Sequence, residues 1–130
     1  MARIPSSSDT LVRVATAVLL GIHGGFRAFA GGVEPFGQYL QSRGIVFGSA
    51  LAYVITAFEI IASLLLIAGR FVVPVALGHI AILVGGIILV HASQGWFVVG
   101  GGRNGVEFSV LLITCLISII LAERKSISTR

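Results

Sequence analysis

Charged side chains are scarce in this chain. They make up 11% of its 130 residues, where a soluble globular domain carries roughly a quarter. A soluble core of this size has no room for the 56% that are hydrophobic. Cysteine occurs once, at Cys115, which excludes an internal disulfide and, within this chain, a dithiol relay of the kind thiol oxidoreductases use. There is no Cys-x-x-Cys-His run for haem attachment and no Glu-x-x-His pair for a carboxylate-bridged metal site. The Gly100-Gly101-Gly102 run follows no strand pattern and lacks the lysine of a phosphate loop. Internal repeats, low-complexity blocks and domain linkers are missing too.

What the sequence does contain is membrane-like. Its mean hydropathy is +1.04, and four windows have the roughly 20 apolar residues that a hydrocarbon layer requires: about 11–30, 49–68, 71–90 and 105–122. Short connections make sequential helices antiparallel neighbours. The expected fold is therefore all-α: an integral membrane four-helix up-down-up-down bundle in a single transmembrane domain over residues 1–130. Gly31-Gly32 and Pro35 end the first helix, and the stretch from Phe36 to Arg43 mixes aromatic and polar residues. It reads as a short interfacial helix in the first outer loop. The Ser-Ser-Ser-Asp-Thr of residues 6–10 suits a helix cap. Ala28-Phe29-Ala30 imitates a signal cleavage site, but the segment is read as a retained first span.

The net charge of +4 does not point to nucleic acid, because the basic residues sit at helix ends with no aromatic platform among them. Topology accounts for them better. Arg3, Arg13, Arg70, Arg124, Lys125 and Arg130 fall on one side, against Arg27, Arg43 and Arg103 on the other. By the positive-inside rule this places both termini in the cytoplasm of a bacterial-type inner or plasma membrane.

The chemistry gathers in a few positions. In the first window Thr16, Leu20, His23, Arg27 and Ala30 share one helical face, and Gly21 with Gly25 forms a small-xxx-small pair for close helix approach. In the second, Thr56, Glu59 and Ser63 share a stripe. An ionised carboxylate at the bilayer centre costs about 2.5 to 3.5 kcal/mol on insertion scales, so Glu59 must face the interior. His79 falls at a similar depth in the third window, about 16 Å from the outer helix end, and is expected to pair with Glu59. The stretch from His91 to Glu107 holds His91, Trp96, Arg103 and Glu107 around a glycine run. Glu107 there complements the dipole of the fourth helix, whose polar stripe continues through Thr114 and Ser118. Arg27 is the expected ion partner of Glu107, and Trp96 suits the interfacial belt.

The polar-edged first helix, the outer segment ending in Arg43-Gly44-Ile45, the glutamate of the second helix, and His91-x3-Gly95-Trp96-Phe97 followed by glycines and Glu107 resemble, in that order, the DoxX family of small membrane proteins over nearly the whole chain. The resemblance implies a four-helix bundle and association with membrane oxidoreductases and quinones. On it, the chain reads as a quinone-interacting or accessory component of a membrane oxidoreductase system. His23, Arg27, Glu59, His79, His91, Trp96, Arg103 and Glu107 are the ligand or proton-relay candidates. No intrinsic cofactor or metal is expected, and a quinone is the candidate bound ligand. The expected partners are the lipid bilayer, a partner oxidoreductase or further copies of the chain. Two alternatives stay open: a purely structural subunit or scaffold, and a small-solute or proton pathway, although no inverted repeat is visible. Haem ligation by two histidines fits poorly, because His23, His79 and His91 fall at three depths.

Overall fold

A computed structural model describes residues 6–128. It contains five α-helices and, among the described residues, no strand. Helix α1 (Ser7–Phe29) begins on a reciprocal cap: Ser6 Oγ accepts from the Asp9 N–H while the Asp9 carboxylate accepts from Ser6 N–H. The serine-rich leader therefore caps the helix as its composition predicts, but four residues earlier than the apolar window suggests. Arg3 and Arg130, counted in the charge argument, lie outside the described residues. Gly31, at φ 73, turns the chain into α2 (Val33–Ser42). Helix α3 (Gly48–Ile67) follows, and a tight turn at Gly69, φ 68, leads to α4 (Val72–Gly86). Helix α5 (Glu107–Ser128) ends the described chain.

The packing closes on itself: α1 contacts α3, α3 contacts α4, α4 contacts α5, and α5 returns to α1, while α2 lies on α3. Inside this ring, Ala17, Leu20, Leu66, Ala76, Leu112 and Leu116 form the main core. A smaller cluster of Val33, Leu40 and Ala52 holds α2 against α3. The outward faces carry residues such as Ile22, Phe26, Leu64 and Leu111, each more than half exposed, an apolar exterior that suits a hydrocarbon surrounding.

Among the described residues, three helical segments are long and apolar enough to cross a membrane: Ser7–Phe29, Gly48–Ile67 and Val72–Gln94. The fourth expected window differs. Its helix runs from Glu107 to Ser128 rather than over 105–122, and Glu107, Glu123, Arg124 and Lys125 lie within it. The charge-free run is 108–122, which is 122 − 108 + 1 = 15 residues. At about 1.5 Å per residue this spans about 22 Å, short of a hydrocarbon layer of about 30 Å.

The third span also changes character near its end. After Gly86 the backbone widens into a π-helical turn, Ile87–His91, closed by the Ala92 N–H on the Ile87 carbonyl, and then tightens into a 3₁₀ turn, Ala92–Gln94. The Leu89 carbonyl accepts from Tyr39 Oη at 2.6 Å, which fastens α2 to the π turn that follows α4. At the opposite end Arg13 donates to the Leu66 and Ile67 carbonyls, satisfying the exposed C-terminus of α3.

Candidate functional site

The α3 stripe carries the polar interior. Ala52, Thr56, Glu59, Ser63 and Leu66 are all buried, at alternating spacings of four and three residues that keep one face inward. Glu59 is 3% exposed. Its partner is Arg27 of α1, whose Nη1 lies 2.6 Å from Glu59 Oε2 and 3.3 Å from Thr56 Oγ1. Thr56 in turn donates to the Ala52 carbonyl, one helical turn back. The other face of the guanidinium is covered by Phe36 of α2, its Cζ 4.5 Å from the ring centroid. One cation thus bonds a carboxylate and a hydroxyl while an aromatic ring shuts it off, the arrangement that compensates a charge removed from water.

Glycine makes this possible. A Cβ on Gly24 would lie 2.8 Å from Glu59 Cβ, and one on Gly21 would lie 3.2 Å from Ser63 Cβ, so α1 rides directly on the polar stripe. The expected Gly21 and Gly25 pair is corrected to Gly21 and Gly24, since nothing lies within 4 Å of a Cβ on Gly25. The reason is angular. Gly24 joins Ala17 and Leu20 on the buried face, whereas Gly25 sits one helical step around it.

The two expected ion or proton pairs are not the ones that form. Arg27 bonds Glu59, in place of Glu107. Glu107 instead accepts backbone N–H groups from Val98 at 2.6 Å and Val99 at 3.0 Å through the same Oε1. These bonds, with Val99 the larger influence, hold its carboxyl below the ordinary carboxylate range. His79 does face the interior, 1% exposed, but its Nε2 has no hydrogen-bond partner, and its ring meets Phe58 edge-on at 5.3 Å rather than the Glu59 carboxylate. Ser63 Oγ is likewise buried without a partner.

His91, at the end of the π turn, donates from Nδ1 to the Asn104 carbonyl at 2.7 Å. His23 is exposed, at the edge of the α1 face that Thr16, Leu20 and Gly24 bury. Trp96 and Arg103 lie in the loop between α4 and α5, both exposed. The continued stripe expected on the last helix turns outward as well: Thr114 and Ser118 are exposed, and Thr114 Oγ1 donates to its own helix at the Val110 carbonyl.

The structure therefore gathers Arg27 and Glu59 into one group, ties His91 and Glu107 separately to the backbone of the loop before α5, and leaves His23 and His79 with neither. Thr56 and Phe36 join the first group. The α3 stripe already pointed to Thr56. Phe36 was legible as an interfacial aromatic, but its seat over Arg27 depends on how α2 folds back over α3. Among the described residues no group of three His, Cys, Asp or Glu side chains is placed to hold a metal ion.

The family model described as DoxX matches residues 8–92, which covers α1 to α4 and the π turn and stops before Trp96, Arg103, Glu107 and α5. Neither the curated proteins nor the solved structures contain a match.

Proposed function

The chain belongs to the DoxX family, and on that premise we propose that it is an accessory component of a membrane oxidoreductase system, a subunit that holds a partner rather than carrying electrons itself. The observation that supports this reading best is the Arg27–Glu59 pair, closed at 2.6 Å beneath Phe36. The carboxylate and the hydroxyl take the guanidinium's Nη1 and the ring covers one of its faces, so a ligand would have only Nε and Nη2 to reach. Glu107 and His91 are engaged in the same way, by the backbone of the loop between α4 and α5. Redox association itself rests on the family resemblance.

A second reading, a quinone-interacting protein without an intrinsic cofactor, draws on His79. A buried imidazole nitrogen without a partner is a donor or acceptor available to a small ligand that reaches it. A small-solute or proton pathway is less well supported, because His23 is exposed and the titratable groups form separate clusters rather than a ladder.

In the proposed arrangement α5 is a fourth crossing, shortened by its charged ends. Arg124 and Lys125 can reach the interface along their aliphatic stems, and the bilayer thins locally. The four crossings then alternate in direction. Arg13, Arg70, Arg124 and Lys125 face the cytoplasm with both termini, and Arg43 and Arg103 belong to the other side, while Arg27 is taken up by Glu59.

The test is gentle purification followed by identification of bound proteins, with organic extraction and mass spectrometry of the same sample. Co-purification of an oxidoreductase supports the accessory role. A retained quinone displaced by quinone analogues would replace it with the second reading, and recovery of neither would leave a purely structural membrane subunit.

A further inference from the structure

The loop of residues 95–106 is folded despite five glycines, at positions 95, 100, 101, 102 and 105. The Phe97 carbonyl accepts N–H groups from Arg103 and Gly105, and the Gly95 and Trp96 carbonyls accept from Val106 and Glu107. The Glu107 side chain then reaches back from the first turn of α5 and takes the Val98 and Val99 N–H groups on one oxygen. His91 ties the far side of the loop through Asn104. Nothing in this network uses the large side chains. Trp96, Phe97 and Val99 are 53%, 58% and 78% exposed and form an apolar crest, with Arg103 exposed beside it.

We propose that this loop is a lipid anchor: its Trp96–Phe97–Val99 crest seats in the boundary between headgroups and acyl chains, Arg103 meets lipid phosphate, and Glu107 is the latch that holds the crest in shape. Three observations fix the occupant as the bilayer. The loop continues directly from a span that ends at Gln94, so its depth is that of the membrane surface. The same end of the molecule carries a collar of exposed apolar side chains, Phe29 at 93%, Val46 at 81% and Phe47 at 78%, drawn from α1 and the α2–α3 connection. Aromatic side chains and arginine together suit that layer, where rings bury their bodies and cations meet phosphate. An isolated glycine-rich loop would lose its crest to conformational entropy; the carboxylate latch prevents this by bonding two adjacent N–H groups.

Trp96 is the chain's one tryptophan, so its fluorescence reports the crest alone. In bilayer nanodiscs carrying brominated phospholipids, quenching is expected to be strong with bromines near the ester end of the acyl chains and weak with bromines near the terminal methyl, while aqueous iodide quenches little. Strong iodide quenching without lipid quenching would place the crest in water. Quenching by neither would mean that a second copy or another protein covers it. Either result overturns the anchor.

Glu107→Leu, which removes the accepting oxygen, tests the latch, with amide exchange at Val98 and Val99 expected to quicken by about tenfold or more. Unchanged exchange overturns the latch. Acidifying the wild-type protein titrates the same carboxylate without a substitution. Loosening is expected as pH falls through the lowered Glu107 value. The other charged or titratable groups at the loop are His91, on the π turn before it, and Arg103.

Discussion

The charge that decides most in this molecule is Glu59. A carboxylate at that depth is tolerable only with a partner, and the partner is Arg27, three residues past a glycine that lets the two helices touch. Removing one member of such a pair leaves the other uncompensated, which typically costs about 3 to 5 kcal/mol. Glu59→Ala or Arg27→Ala is therefore expected to lower thermal stability severely in detergent-solubilised protein. The double change Arg27→Met with Glu59→Leu should recover most of the loss, because two apolar side chains of similar volume need no pairing. A double variant no more stable than the singles would show that the pair does not stabilise the fold through charge. At Glu107 the expected pH dependence has a definite sign. Its carboxyl is held below the ordinary range by Val99 and Val98, so its contribution to loop order is complete above that range and is lost as pH falls through the lowered value. Amide exchange of the loop against pH measures this directly.

Among the elements, α1 on α3 is the contact that organises the site, and two adjacent glycines separate its causes. Gly24→Ala places a methyl 2.8 Å from Glu59 Cβ and must push the helices apart, at an expected cost of about 1 to 3 kcal/mol. Gly25→Ala meets nothing within 4 Å and should be neutral or stabilising by up to about 1 kcal/mol, through helix propensity alone. Thermal melts of the two variants side by side check this, and equal effects would show that the Gly24 contact is not the one that sets the helix separation. The sequence contained the α3 stripe in full, because inward polar residues in an apolar helix must repeat with the helical period. It did not contain the choice between Gly24 and Gly25. That depends on the rotation of α1 about its axis, which the packing of Ala17 and Leu20 sets.

For the whole molecule, the open question of direction is answered by where loops can be labelled. With Cys115 replaced by serine, Arg43→Cys and Arg70→Cys should react with a membrane-impermeant maleimide from opposite sides. Arg43→Cys should react in intact cells and Arg70→Cys only after lysis. A cysteine at Ser128 should follow Arg70→Cys, because the proposed fourth crossing returns α5 to the side of the α3–α4 turn. If Ser128 is labelled with Arg43, α5 does not cross, and its 15-residue charge-free run lies along the surface instead.

The sequence by itself determined that this is an all-helical membrane protein of the DoxX family, that α2 breaks from α1 at Gly31-Gly32, and that Glu59 must be inside. The helical membrane class follows from composition, the break from local glycines and a proline, and the place of Glu59 from the period of one helix, all of which neighbouring residues fix. The family rests on the order of motifs along the chain and the matching family model. Only the tertiary structure decided which groups pair. By depth Arg27 is expected beside Glu107 at the outer mouth, above Glu59. It bonds Glu59 because α1 lies directly on α3 and Phe36 covers the outer face of the guanidinium, while the loop backbone claims Glu107. His79 was placed at the right height for Glu59 but meets Phe58, since height along a helix says nothing about the angle at which two helices face each other.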